Sequence, residues 1–373
     1  MRLCLDSFLA LRREDWRVLV AIELGMRTHE YVPVPAIERT AHLKRGNAFK
    51  SIQLLLRHKL ISHVNKKYDG YKVEFRGYDY LALQTFLKAG LELRVESRIG
   101  VGKESDVYLM RTRDDKLLVL KLARLGRTSF TRVKDTRDYI EHRRQYNWLY
   151  LSRLAAQREF HHLTALHQRG FPVPVPVHAN RHAILMSFVN GFPFYSVKAV
   201  TNVHVLYNQI VDLLERFAMH GLVHGDFNEF NLILDAQQRV FVIDFPQIVS
   251  VTHPDAPRLF QRDLDCVNEF FARKFGFITT RAVSFTAIEV VERVDREIGA
   301  SGVQKENQIL LSYFHQPEGE PEEEAGSASA LSEEESNVNS LGRGRGTEEV
   351  GRGPAAPAHR RKLSKVVEDS QRR

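Results

Sequence analysis

The feature that most constrains this chain is a run of polar residues between two short apolar segments in its second half. The run is His224-Gly-Asp226-Phe-Asn-Glu-Phe-Asn231, and the apolar segment Val240 to Ile243 then leads into Asp244. Phosphoryl transfer needs one carboxylate to orient the attacking hydroxyl or water, and two oxygen ligands to hold magnesium on the phosphates. Asp226 suits the first role, and Asn231 and Asp244 suit the second. Each residue alone could be a loop cap or turn, but the ordered set favours a catalytic site.

A glycine pair upstream also suits a phosphate group. Gly100 and Gly102 follow a predicted strand, Arg94 to Ile99. Glycines at such a turn let backbone N–H groups approach a phosphate that a side chain would obstruct. The loop matches neither a Walker A sequence nor a full three-glycine kinase loop. The pair is therefore weak evidence by itself.

The next predicted strand, Leu117 to Lys121, ends in a lysine. A lysine facing inward is costly without an anionic partner, which a nucleotide phosphate would supply, although the last residue of a strand can also be exposed. A predicted helix carries Glu159, which lies 38 residues after Lys121 and could hold it through its carboxylate. The interval leaves room for a basic insertion over 127–144.

The first 92 residues predict a winged helix-turn-helix. The predicted elements are three helices, Asp15 to Leu24, Val34 to His42 and Asn47 to His58, then two strands, Leu60 to Lys66 and Tyr71 to Phe75. The third helix would be the recognition element and the strand turn the wing. Five basic residues are candidates for nucleic-acid contact: Lys44, Arg45, Lys50, Lys66 and Lys67. A small winged domain can equally be a protein-interaction module, so both interpretations stay open.

The charge balance favours a nucleic-acid or ribonucleoprotein partner. The chain has 54 Lys and Arg against 46 Asp and Glu, a net charge of +8. Residues 316–373 hold 9 basic and 12 acidic residues, so the part before them carries 45 and 34, a net of +11. Such basic surfaces bind phosphates largely by releasing counterions. Residues 316–373 contain no aromatic residue and are predicted to be disordered; Arg360 to Ser364 could be a nuclear-import patch, a phosphorylation site or simply solvated.

Cysteine usage and hydropathy set the broad class. Two cysteines, Cys4 and Cys266, exclude a disulfide scaffold and a four-cysteine zinc site, and they fit a reducing compartment. No segment approaches the roughly 20 apolar residues of a membrane helix. Asp6 divides the apolar start of the chain, which argues against a signal peptide. We expect an intracellular protein without membrane attachment, monomeric when free.

At these residues the sequence resembles a known family. The protein-kinase-like superfamily has similar residues in the same order. They are Lys121, Glu159, the run from His224 to Asn231 and Ile243-Asp244-Phe. Several longer segments resemble the RIO atypical kinases, and the winged helix points to their second subfamily. Those segments are Gly102-Lys-Glu-Ser-Asp-Val-Tyr108, Leu125-Gly-Arg-Thr-Ser-Phe130, Trp148-Leu-Tyr-Leu-Ser-Arg-Leu154, His224 to Asn231 and Ile243-Asp-Phe-Pro-Gln247.

The resemblance implies roles for individual residues, with ATP and Mg²⁺ as cofactors. Asp226 would be catalytic, Asn231 and Asp244 would bind magnesium, and Lys121 would contact the phosphates and be oriented by Glu159. The other implied positions are a phosphate loop at Gly100, Gly102 and Ser105, an adenine roof at Ile99, Val107 and Val119, a floor at Ile233, a back wall at Met186 and a hinge over Ser187 to Val189. Ser187 stands where an acidic hinge residue is expected, and Gly225 replaces the arginine that pairs with a phosphorylated activation loop in regulated kinases.

The expected fold is α+β, with a winged helix-turn-helix followed by a two-lobed kinase-like domain. We place the winged helix over 1–92, the small lobe with the insertion over 93–186, the large lobe over 187–315 and a disordered tail over 316–373. The resemblance implies a Ser/Thr kinase or ATPase in late maturation of the small ribosomal subunit. Its partners would be the rRNA and proteins of the pre-small-subunit particle, its turnover would drive release, and Asp244 could itself accept the phosphoryl group. It would be cytoplasmic, with passage through the nucleus.

Two other functions remain open from the sequence. An aminoglycoside- or choline-type phosphotransferase also uses a His-x-Asp-x4-Asn loop, but it would need an acidic pocket for a cationic substrate. A winged-helix nucleic-acid-binding protein with a catalytically silent kinase fold is the other, and the intact polar set argues against it.

Overall fold

The computed structural model describes residues 6–43, 47–65, 69–125 and 148–300 of the chain. The candidate nucleic-acid contacts Lys44, Arg45, Lys66 and Lys67, the insertion over 127–144 and the tail over 316–373 lie outside these ranges. Lys50 is described and exposed. No helix in the described part of the chain is long and apolar enough to cross a membrane.

The first part is a winged helix-turn-helix, as predicted. Its elements are α1 (Asp6–Leu9), α2 (Arg13–Gly25), α3 (Val34–Ala41), α4 (Asn47–Arg57), β1 (Ile61–Asn65) and β2 (Asp69–Val73). The two strands pair antiparallel, with Ile61 opposite Val73. Val32 exchanges backbone hydrogen bonds of 2.8 and 3.0 Å with Tyr71 and so extends the wing by one bridge. The core lies between the helices and this small sheet.

Helix α5 (Phe75–Lys88) follows the wing and was not predicted. The sequence interpretation placed Phe75 at the end of a strand and was wrong, because β2 ends at Val73 and Phe75 begins the helix. The first half of α5 contributes Tyr78, Tyr80 and Leu81 to the winged-helix core. Its second half contributes Ala82, Leu83 and Phe86 to a second core. The helix is therefore shared between two parts of the molecule.

The second core is one face of a five-stranded antiparallel sheet, the small lobe. Its elements are β3 (Leu93–Val101), β4 (Ser105–Thr112), β5 (Leu117–Ala123), α6 (Trp148–Gln168), β6 (Pro176–Asn180) and β7 (Ala183–Ser187). The strand order is β3-β4-β5-β7-β6. Alternate residues of a strand point to opposite faces, so Leu118 and Leu120 face α5, whereas Val119 and Lys121 face the large lobe.

The large lobe is built mainly from helices and short strands. Its elements are β8 (Gly191–Pro193), a 3₁₀ turn (Phe194–Ser196), α7 (Val203–Met219), β9 (Leu222–Val223), β10 (Leu232–Asp235), β11 (Val240–Val242), β12 (Val249–Ser250), α8 (Ala256–Phe275), a 3₁₀ turn (Phe285–Ala287) and α9 (Val294–Ala300). Helix α8 is rich in aromatic residues and begins at Ala256. Pro257 lies in its first turn, where a missing N–H has no consequence.

Candidate active site

The glycine turn and Lys121 lie in one row of the small-lobe sheet. Gly100 on β3 is opposite Val107 on β4, which is opposite Lys121 on β5. The Gly102 N–H donates to the Ser105 carbonyl at 2.7 Å and closes the turn. Neither Gly100 nor Gly102 has a positive φ. The backbone conformation therefore does not require glycine. The advantage of glycine here is that no side chain blocks access to the backbone N–H groups.

Lys121 joins the two lobes through two carboxylates. Its Nζ donates to Glu159 Oε1 at 2.5 Å and to Asp244 Oδ1 at 2.7 Å. Lys121 and Glu159 are 9% and 6% exposed, so the pair lies out of bulk water. Burial alone would lower the pKa of Lys121, but the charges of Asp244 and Glu159 outweigh it and the pKa is raised. The lysine is a permanent cation at the position predicted for phosphates.

Asp244 has an unusual backbone conformation. Its φ is 72°, in the left-handed region that aspartate enters more easily than most residues. It follows β11, and the N–H of the preceding Ile243 donates to the Asn231 carbonyl at 2.9 Å. The pairing of β10 with β11 places Leu232 opposite Val242. This pairing brings Asp244 beside the polar run from His224 to Asn231.

Two amide side chains hold the carboxylate of Asp226. The Nδ2 of Asn228 donates to Asp226 Oδ1 at 2.8 Å, and the Nδ2 of Asn231 donates to Oδ2 at 2.9 Å. Asn231 is buried and Asp226 half-buried. Because the nitrogen of Asn231 is directed to Asp226, its Oδ1 is the side-chain atom able to bind a hard cation such as Mg²⁺. The donor set of Asn231 and Asp244 thus fits magnesium.

Asp263 on α8 supports the same loop, and the sequence analysis missed it. Its two carboxylate oxygens accept the N–H groups of Gly225 at 2.7 Å and Phe227 at 3.0 Å, on either side of Asp226. Burial raises the pKa of Asp263 to about 6, although the two N–H groups act in the opposite direction. Gly225 has φ 73°, and a Cβ there would lie 2.6 Å from the Gln247 carbonyl oxygen. Only glycine fits between the Asp263 carboxylate and the Gln247 carbonyl.

His224 has a packing role. It is fully buried, and its ring meets the rings of Phe217, Phe227 and Phe245 at centroid distances of 5.4 to 5.8 Å. Neither ring nitrogen has a hydrogen-bond partner among the described residues. Burial lowers its pKa to about 4. The imidazole is therefore neutral near pH 7 and part of the aromatic core under the loop.

Three residues predicted to surround adenine, Val107, Val119 and Met186, lie on the sheet face that looks toward the large lobe. Val119 on β5 is opposite Met186 on β7, and Val107 is opposite Lys121. Ile99 is buried on β3, and Ile233 comes from β10 in the large lobe. The Ser187 hydroxyl accepts the Val175 N–H at 2.8 Å and fixes the end of β7, where the predicted hinge to Val189 begins. Their roles toward adenine remain predictions.

Comparison with known proteins identifies the family. Residues 8–89 match the model described as "Rio2, N-terminal", and residues 106–283 match that of the RIO domain. A Rio2 serine/threonine-protein kinase of Schizosaccharomyces pombe is 42% identical over 310 residues, which are 82% of this chain and 90% of that protein. This chain belongs to the Rio2 family. A Rio2 serine/threonine-protein kinase of Dictyostelium discoideum is 46% identical over 292 residues, 78% of this chain but 56% of that protein.

Rio2 structures share the fold. A crystal structure of the Rio2 kinase–ADP/Mg²⁺–phosphoaspartate complex of Chaetomium thermophilum has a TM-score of 0.72 and 40% identity, and covers 84% of this chain and 99% of that one. The family, the fold class and the kinase class predicted from the sequence are confirmed. Among the predicted site residues, hydrogen bonds bring Lys121, Glu159 and Asp244 together in one group and Asp226 and Asn231 in another, and the backbone of Ile243 links the two groups.

Proposed function

We propose that this Rio2-family chain is an ATP- and magnesium-dependent serine/threonine kinase or ATPase that acts in late maturation of the small ribosomal subunit. The observation that carries the catalytic part of the proposal is the position of Lys121, whose ammonium contacts Glu159 and Asp244 at 2.5 and 2.7 Å; the ribosomal part rests on the family. A buried cation shared by two carboxylates, one from each lobe, is suited to receive phosphates between the lobes. Family membership argues against the small-molecule phosphotransferase alternative.

Each side chain has a role in this proposal that follows from its contacts. Lys121 would neutralise phosphate charge while Glu159 keeps its ammonium in place. Asp226 would orient the attacking oxygen, because two amides fix the plane of its carboxylate. Asn231 and Asp244 would hold Mg²⁺, which neutralises charge on the phosphates when bound. Gly100, Gly102 and Ser105 would offer backbone N–H groups to the phosphates.

We also propose Asp244 as a phosphoryl acceptor. A carboxylate oxygen would attack the terminal phosphorus of ATP, the bond to the bridging oxygen would break, and ADP would leave with an acyl phosphate on Asp244. The Chaetomium Rio2 structure, described as a phosphoaspartate complex, supports such chemistry in a relative. The test is treatment of autophosphorylated protein with hydroxylamine, which cleaves acyl phosphates. Acid-stable phosphate found only on serine or threonine would contradict the assignment.

The ribosomal role can be tested by sedimentation of cell extracts. Wild type, Asp244→Ala and Asp255→Asn, an exposed change in the turn before α8, would be compared in one gradient. If turnover drives release, Asp244→Ala accumulates on pre-small-subunit particles, whereas the wild type and Asp255→Asn cycle off them. If all three variants stay at the top of the gradient, no such particle is bound. The basic net charge and the exposed Lys50 on α4 support contact of the winged helix with rRNA. Separate nuclear and cytoplasmic extracts of the same cells test the proposed cytoplasmic location and nuclear passage.

A further inference from the structure

A buried charged cluster lies on the side of the small-lobe sheet that faces α5. It consists of Asp79 on α5, Asp106 on β4, Arg124 directly after β5 and His182 between β6 and β7, and all four are at most 5% exposed. The guanidinium of Arg124 donates to both carboxylate oxygens of Asp79, at 2.6 and 2.7 Å, and to Asp106 at 3.0 Å. His182 Nε2 lies 2.8 Å from Asp79 Oδ1 and donates to it, since an ionised carboxylate only accepts.

Arg124 also holds the predicted phosphate loop. Its backbone N–H donates to the Glu104 carbonyl at 2.5 Å, inside the turn between Gly102 and Ser105. Its side chain binds Asp106, the residue after Ser105. Arg124 therefore contacts the loop at its tip and at its exit, and a shift of Arg124 would move the backbone N–H groups that would face phosphates.

Asp79 connects this attachment to the winged helix. It lies between Tyr78 and Tyr80, which both belong to the winged-helix core. Tyr78 stacks on His182, with the ring centroids 4.5 Å apart and the ring planes 20° from parallel. The position of Asp79 is therefore set by how the winged helix packs, and the two-oxygen contact transmits that position to the guanidinium.

The cluster is better suited to fixing the positions of its side chains than to stabilising the fold. Burying charges has a large desolvation cost, so a buried ion pair adds little stability compared with apolar packing, but its two-pronged geometry is specific. The apolar residues of α5 already attach the winged helix to the sheet. We infer that Arg124 is a positioning residue for the phosphate loop and that Asp79 connects Arg124 to the winged helix. Nucleotide phosphates bound at the loop and a macromolecule bound to the winged helix therefore affect each other's affinity. The inference rests on the proposed nucleotide role of the loop; such coupling is reciprocal.

The test compares two ion pairs at the same boundary in the full chain. Asp79→Asn removes the charge next to Arg124 with little change of shape. Glu23→Gln does the same to a second two-pronged pair, in which Glu23 of α2 accepts from Arg181 of the β6–β7 turn at 2.6 and 2.8 Å. The other contacts of Arg181 lie on α5, at Leu81 and Thr85, and on its neighbour Asn180, and not on the loop. Hydrogen exchange over residues 100–108 is measured without nucleotide, and the dissociation constant of Mg-ADP by calorimetry.

We expect Asp79→Asn to speed exchange in the loop and to weaken Mg-ADP binding by about fivefold or more, the lower end of typical coupling. Glu23→Gln should leave the loop exchange rate and the Mg-ADP dissociation constant within about twofold of the wild type. This should hold even if its thermal midpoint falls as much as that of Asp79→Asn. Equal effects of the two variants, or unchanged loop exchange in Asp79→Asn, would overturn the inference. The exchange data are independent of the proposed function: a wild type that binds no Mg-ADP refutes that function, while the loop comparison still decides the role of Arg124.

Discussion

A carboxylate that orients an attacking oxygen needs one orientation and a stable charge, and the neighbours of Asp226 provide both. Asn228 and Asn231 fix its plane, and Asp263 fixes the backbone on both sides of it. None of these contacts involves the phosphate loop or Lys121. Asp226 is thus held by residues other than those that hold Lys121 and the phosphate loop, so a substitution at Asp226 should separate turnover from nucleotide binding.

Replacing Asp226 by Asn should abolish turnover and spare binding. The amide keeps the shape of the side chain but cannot accept a proton, and the loss of a general base typically lowers kcat by about 100-fold or more. Single-turnover phosphorylation and Mg-ADP calorimetry on the same sample measure the two quantities. Glu159→Gln is the matched opposite, because loss of the charge that holds Lys121 should weaken nucleotide binding first. An Asp226→Asn variant that loses binding together with turnover would show that Asp226 has another role.

The raised pKa of Asp263 predicts a pH-dependent stability. Its pKa is about 6 in the folded protein against an ordinary value of 3.8, so between these values the folded state holds a proton that the unfolded chain has lost. The free energy of unfolding therefore increases as the pH falls through 6, by about 1 kcal/mol between pH 7 and pH 5. This contribution is lost again as the pH rises through 6.

Urea unfolding of the wild type and Asp263→Asn at pH 5, 6 and 7 measures this contribution. Asp263→Asn has no proton to bind at this position, so the difference in unfolding free energy between the two proteins should grow by that amount at low pH. A constant difference at all three pH values would contradict the assigned pKa.

The residues that would carry out the chemistry could be predicted from their types, whereas the residues that hold the site's loops in place could not. Lys121, Asp226 and Asn231 stand out because their groups are needed at those places in phosphoryl transfer. Asp79 and Asp263 are only 5% and 1% exposed, but an aspartate within a helix normally indicates the solvent face. One signal was present for Asp263, which falls at helical spacing within the buried stripe Phe260, Leu264, Val267 and Phe271. A charged residue on an apolar stripe indicates a buried partner.

At the scale of elements, α5 was missed because it is buried on more than one side. Its buried residues run without a break from Gly77 to Leu83, so they show no single apolar stripe with a period of 3.6 residues. Helices α7 and α8 each bury one face, and their buried residues recur at helical spacing. The element that joins the winged helix to the small lobe is thus the one whose pattern is least readable.

The second half of α5 should contribute strongly to stability, and two adjacent residues test this. Phe86 is fully buried against the sheet, whereas Leu87 is 47% exposed. Phe86→Ala should lower the free energy of unfolding by about 3–5 kcal/mol through lost burial and a cavity. Leu87→Ala, a truncation on the exposed side of the same helix, should lower it by no more than about 1 kcal/mol. Urea denaturation gives both values, and losses of equal size would show that α5 does not pack on the sheet as described.

At the scale of the whole molecule, the winged helix and the small lobe share one packed body. Helix α5 belongs to both cores, Leu149 of α6 joins the winged-helix core, and two buried or half-buried ion pairs cross the boundary. Two separate domains would each have a complete core and a polar boundary between them. The winged helix is therefore positioned relative to the nucleotide cleft rather than loosely linked to it.

This shared body predicts that nucleotide protects the winged helix from a distance. A ligand present at 100 times its dissociation constant stabilises the state that binds it by about 2.7 kcal/mol, which slows exchange through opening of that state about 100-fold. If α2 opens only together with the sheet, the amides of Val18 and Leu19 should slow by the same factor as that of Leu120 when Mg-ADP is added. Hydrogen exchange with mass spectrometry measures both segments at once, and ADP with a chelator in place of magnesium is the control. Protection of β5 without any change in α2 would mean that the two parts open independently, and the packing of α5 would then have to be weaker than its burial indicates.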